Sequence, residues 1–203
     1  VPALWVPAVG HAQALSIAAG FAATSEYVAD GIPQSNGFAF QPYVELGYSG
    51  FYAGIWASNV SSAVLGTADT LEYDLYAGYR AEVGRFSYDL GYTHYFYNRT
   101  GACCGDFALS MGVAATDTLE FGAKIKLNPA TSVTNLSGSV AFAPVDKVTL
   151  AAGYGTISGA HTYWSVGGSY AVNDMVSLDL TYHDTSITRG LVVGTVSVDF
   201  NLR

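Results

Sequence analysis

Charge is scarce in this sequence. Charged residues make up 12% of its 203 positions, about half the share usual in globular domains, and a water-soluble domain of this size would carry more on its surface. Long apolar runs are missing too: no stretch of 18 or more consecutive apolar residues occurs, which excludes a transmembrane helix. Basic residues number 8 against 16 acidic ones, a net charge of −8. That balance argues against a nucleic-acid partner, since phosphate binding needs clustered Lys and Arg. The only cysteines are the adjacent Cys103 and Cys104. A lone vicinal pair supplies neither metal-ligand spacing nor a disulfide framework; it reads as an incidental loop pair, with a vicinal disulfide as the alternative in an oxidising compartment. No G-x-S-x-G elbow, H-E-x-x-H pair or phosphate-binding glycine loop is present, so no catalytic residue, metal or cofactor is expected.

What the chain does contain is apolar residues spread at every second position. They make up 50% of the sequence, with 15 Tyr and 23 Gly. Twelve strand-like runs follow one another: 15–27, 38–48, 51–59, 70–82, 86–97, 107–115, 118–127, 133–142, 148–157, 162–172, 176–183 and 191–200. Each is near the length that crosses a bilayer when tilted. In the fourth run Glu72, Asp74, Tyr76, Gly78, Arg80 and Glu82 share one face, and Leu71, Tyr73, Leu75, Ala77, Tyr79 and Ala81 share the other. A period of two excludes helix faces. Tight turns such as Ser49-Gly50 alternate with longer polar connections. The expected fold is therefore all-β: a transmembrane antiparallel up-and-down β-barrel of about twelve strands, with both termini on the periplasmic side.

Periodicity does not say which face points inward. Composition does: the polar faces carry Gly, Ser, Thr and isolated acids rather than the Lys and Glu of a solvated surface, and apolar faces on twelve strands exceed what a small interior holds. With the apolar faces outward, the lumen is expected to be lined by Glu26, Glu45, Glu72, Asp74, Glu82, Asp89, Glu120, Asp179 and Asp199, against Arg80, Lys124 and Lys126. Such an interior is net negative. Acidic linings favour cations over anions. Small residues at Ala18, Gly20, Gly54, Gly112, Gly122, Gly153, Gly155 and Gly167 suit an open lumen, or else serve barrel curvature. Tyr48, Phe51 and Tyr52 at one turn, and Tyr92, Tyr95, Phe96 and Tyr97 at a strand end, are read as interfacial girdles.

The blocks SGFYAGIWASNV at 49–60, SEYVADGI at 25–32, LYAGY at 75–79 and SYDLGY at 87–92 resemble the TorF family of porin-like proteins, also called Gcw_chp, of proteobacterial outer membranes. The likeness covers roughly the first half of the chain. It implies an outer-membrane pore and supplies no substrate. Where the family pattern reads S-x-Y-x-x-R-G, this chain has Asp30 before Gly31; if that arginine lines the pore, the electrostatics here differ from those of the relatives.

Function is thus expected to be passive diffusion of small solutes or ions through a weakly cation-selective channel in the bacterial outer membrane. The expected partners are outer-membrane lipid and lipopolysaccharide, with the barrel-assembly machinery during biogenesis. Two alternatives stand beside this: a closed structural or adhesive barrel acting through its external loops, and an outer-membrane lipid hydrolase. Residues 1–14, apolar and ending in Ala12-Gln13-Ala14, are expected to be a signal-peptide remnant or an N-terminal extension, with the barrel spanning 15–203.

Overall fold

The computed structural model describes residues 15–201, so both readings of residues 1–14 lie outside the described residues. Within it the chain forms β1 (Ser16–Thr24), β2 (Val28–Ala29), β3 (Ile32–Pro33), β4 (Ala39–Tyr48), β5 (Phe51–Asn59), a one-turn helix α1 (Ser62–Leu65), β6 (Leu71–Val83) and β7 (Phe86–Tyr97). It continues through β8 (Gly101–Ala114), β9 (Leu119–Leu127), β10 (Thr134–Val145), β11 (Val148–Ile157), β12 (His161–Ala171), β13 (Val176–Thr185) and β14 (Leu191–Asn201). Apart from the short β2–β3 hairpin, each strand pairs with its sequence neighbours, and β1 pairs with both β4 and β14. The result is a closed antiparallel barrel of twelve strands, as the alternation predicts.

The tight turns behave as their sequences require. Ser49 and Gly50 both take positive φ, at 50° and 86°, the backbone that a two-residue hairpin needs to match strand twist. The strands are steeply staggered. One row of paired residues starts at Arg80 near the turn end of β6 and runs through Asp89, Ser110, Lys124, Ser137, Gly155 and Tyr163. It arrives at Thr185, near the loop end of β13. This climb is the shear that closing a tilted sheet demands.

The apolar face points outward. Along β4, Phe40, Val44, Leu46 and Tyr48 are exposed while the alternating Ala39, Gln41 and Tyr43 are buried. Leu75, Leu90, Phe107, Phe121, Leu150, Leu180 and Val192 repeat the pattern around the wall. The buried apolar cluster is small by comparison: Tyr27, Ala39, Tyr43, Trp56 and Val60. Exposed apolar side chains repeated around the whole wall are rare on ordinary soluble monomers.

Three sequence expectations change. The sixth strand was expected at 107–115 but begins at Gly101, and Cys103 and Cys104 form a disulfide within it rather than sitting as a free pair in a loop. Tyr95 pairs with Cys104 and Phe96 with Ala102, so Cys103 is the extra residue of a β-bulge. The tyrosines at strand ends divide between faces: Tyr48 and Phe51 are exposed outside, whereas Tyr52 and Tyr95 hydrogen-bond interior carboxylates. Interior glycines also divide. Gly20, Gly54 and Gly155 lie directly opposite Tyr43, Tyr76 and Tyr163, whose rings cover them; Gly112, Gly122 and Gly153 line an interior cavity.

A Cβ on Gly54 would lie 2.5 Å from Tyr76 Cζ and 2.6 Å from the Val44 carbonyl oxygen. The backbone oxygen cannot move aside, so G54A should destabilise the barrel by about 1–3 kcal/mol. Urea unfolding of the refolded protein measures this, and unchanged stability would show that the ring does not occupy the glycine's space.

Candidate functional site

The interior begins with one cation held by two acids. The guanidinium of Arg80, on β6, donates from Nη1 and Nη2 to the two oxygens of Glu45 on β4, both at 3.0 Å. Its Nε lies 3.4 Å from Asp89 Oδ2 on β7, an ionic contact without hydrogen-bond geometry. Between these strands, Tyr52 of β5 lies under the guanidinium, 3.8 Å from its carbon to the ring centroid, and donates its hydroxyl to Asp89 Oδ1 at 2.6 Å. Arginine suits this place because its planar fork takes a carboxylate edge-on while its face stacks on an aromatic ring. Four adjacent strands are thereby tied from inside.

The β1–β4 connection turns into the barrel instead of away from it. Its β2–β3 hairpin turns at Asp30 and Gly31, both at positive φ. The hairpin is braced at its base, where Glu26 accepts the Gly37 amide at 2.9 Å and Ser35 accepts the Tyr27 amide at 2.8 Å. Tyr27 meets Trp56 edge-on at 5.4 Å between centroids. The tip reaches the opposite wall: Lys126 on β9 donates to Asp30 Oδ2 at 2.6 Å, and His161 Nε2 lies 3.0 Å from the Asp30 carbonyl oxygen. A side chain on Gly31 would strike Tyr163 and Thr185. The hairpin is a crossbar inside the barrel.

Beside it, toward the turn end, lies a cavity of about 460 Å³. Its lining includes Arg80, Asp89, Glu82, Glu120 and Lys124, with hydroxyls from Ser110, Ser137, Ser139 and Ser165. Elsewhere on the interior register Asp199 accepts the Tyr43 hydroxyl at 2.8 Å, and Asp179 accepts that of Thr181 at 2.8 Å. Glu72 and Asp74 are buried on β6. Eleven of the twelve expected lining residues therefore lie on interior positions of barrel strands. Glu26 does not: it follows the end of β1 and braces the inward connection. Asp30, Asp106 and His161 join the interior without being among the expected lining residues. Asp106 follows from pairing register, since it sits opposite Thr93 and accepts from Tyr95 at 3.2 Å. Asp-Gly between two short apolar pairs was the available signal for the hairpin.

At the loop rim, Asp69 ties two connections together. It accepts the amides of Arg99 and Thr100 at 2.8 and 2.9 Å, and the Thr100 hydroxyl as well. The Thr100 hydroxyl first, then the two amides, hold its carboxyl down to about 2, below the usual value near 4. A depressed carboxyl contributes stability that is full above about 4 and lost as pH falls through about 2.

The sequence as a whole matches one described family, "Bacterial protein of unknown function (Gcw_chp)", over residues 8–201. The chain belongs to the Gcw_chp family. The match runs through the second half of the barrel, beyond the region where the family blocks are recognisable by eye. No match was found among curated proteins. Of solved structures, the fold is similar to that of the KdgM porin, at 12% identity and a TM-score of 0.69 over 92% of this chain and 99% of that one. It is also similar to the NanC porin, at 12% identity and a TM-score of 0.54 over 92% of this chain and 98% of that one. These likenesses establish the fold of this Gcw_chp member.

Two outcomes are expected. Protection of the Arg99 and Thr100 amides, taken relative to the unstructured chain at the same pH, should be high at pH 6 and fall as pH drops through about 2, and D69N should show little protection at either pH; equal protection in the two proteins would remove Asp69 as the tie. K126A should free the hairpin tip, seen as faster proteolysis or spin-label motion near Asp30, and unchanged mobility would show that the tip is held by its other contacts.

Proposed function

We propose that this protein is a porin-like channel of the bacterial outer membrane, of the TorF type within its family, and that it passes small cationic or neutral solutes. The single observation that carries the reading is the charge left on the interior once ion pairs are cancelled. Arg80 is shared by Glu45 and Asp89, and Lys126 is matched by Asp30. Among the described residues, Glu72, Asp74, Glu82, Asp106, Glu120, Asp179 and Asp199 then stand against Lys124. A negative lining inside low-dielectric walls concentrates counter-ions and repels anions.

The outward apolar belt supports a lipid surrounding, with outer-membrane lipid and lipopolysaccharide as its neighbours and the assembly machinery as its route there. Only helices and closed barrels satisfy all backbone polar groups in lipid, and this barrel is closed. A channel fits the fold likeness better than a lipid hydrolase does. The crossbar favours a second reading, in which the barrel is shut and the loops act. Conductance separates the two.

Planar-bilayer recording across a salt gradient should give a reversal potential of cation-selective sign. E82Q/E120Q should move that potential toward zero, because it removes two acids that line the cavity. Anion preference would reject the selectivity, and absence of conductance in the wild type and in K126A alike would favour the closed barrel. Placing a charge on the belt with L75R should cost roughly 2–4 kcal/mol of stability in lipid, read by urea titration in vesicles; no loss would place Leu75 outside the hydrocarbon.

A further inference from the structure

We infer that Glu72 and Asp74 form a binding site for a primary ammonium group. The two carboxylates stand two residues apart on the interior register of β6, and they are only 3% and 1% exposed. Glu72 Oε2 and both oxygens of Asp74 meet no hydrogen-bond partner among the described residues. Burying carboxylates in this way is costly unless a donor or a positive charge answers them. Among the described residues Arg80 is committed to Glu45 and Asp89, and Lys126 to Asp30.

The chemistry of the walls narrows the class of occupant. Three open acceptors equal in number the three N–H donors of a primary ammonium. Across the strands Asp74 pairs with Trp56 and with Tyr95, and Glu72 pairs with Ser58 and with Tyr97. Tyr27 closes over Trp56 from the inward connection. Aromatic surfaces beside a desolvated cation add attraction and accept an alkyl stem. A bare metal ion fits less well. No group of three or more His, Cys, Asp or Glu that could hold a metal occurs among the described residues, and hard cations take six to eight oxygen ligands or keep several waters.

The site adjoins the route a solute would take. Tyr76, the next interior residue on β6, lines the cavity, so the carboxylate pair lies one step beyond the cavity wall, beside the crossbar. The ammonium class therefore deepens the channel reading, and rests on it only for the supply of ligand. Binding itself needs no conduction.

Isothermal titration of the refolded full chain in detergent, at constant ionic strength, tests this with n-propylammonium, tetramethylammonium and sodium chlorides. Saturable one-to-one binding of propylammonium is expected, with tetramethylammonium about tenfold weaker or more because it has no N–H to donate. E72Q and D74N should each weaken propylammonium by about tenfold or more, with their folding checked by gel mobility before and after heating. Absence of propylammonium binding, equal binding of the two ammonium ions, or undiminished binding by folded D74N overturns the site. The wild-type comparison decides the matter even where both variants fail to fold. Failure of the channel reading appears separately, as absence of conductance with the titration unchanged.

Discussion

Everything in this molecule depends on β1 finding two partners. Its residues pair with β4 along one edge and with β14 along the other, so the first and last strands meet and the sheet has no free edge. Until that ring closes, a row of amides and carbonyls along each open edge has nothing to bond, which lipid does not tolerate. Once it closes, the period of two sorts every side chain without further instruction. Large apolar groups go to the outer wall and acids, hydroxyls and glycines to the inner one. Little conventional core is needed, and the buried apolar cluster is correspondingly small.

The barrel strands were legible because their signals are local. Alternation in 51–59, 86–97 and 148–157 coincides with β5, β7 and β11 at both ends, and the turns between hairpins carry residues suited to positive φ, such as Ser49-Gly50. What escaped was what alternation cannot express. β2 and β3 have two residues each, too few to show a period, and an Asp-Gly pair alone does not say that the connection turns inward. The start of β8 is irregular because the bulge at Cys103 slips the register, so a pattern of two breaks there.

The interior was half legible. Parity along each strand placed Glu45, Arg80 and Asp89 on one surface, but not in contact. Their meeting depends on how three hairpins are staggered, since Glu45 and Arg80 stand on strands separated by β5. The same limit applies to Asp30. Its residue type, where relatives are expected to carry arginine, is plain in the sequence; that it reaches Lys126, 96 positions away, is a property of the inward hairpin. Likewise a glycine's meaning depends on its opposite number, so Gly54 under the Tyr76 ring and Gly153 beside the cavity do different work.

The climbing row from Arg80 to Thr185 has a further consequence for anything that moves through the barrel. Residues paired edge to edge do not form a level collar; they form a screw. Arg80, Lys124 and Tyr163 succeed one another at rising height and changing azimuth. A solute travelling along the axis would therefore meet the two positive groups in turn, on different sides, and never as one belt. Its orientation would be handed from wall to wall, and a rigid, elongated molecule would have to rotate as it advanced.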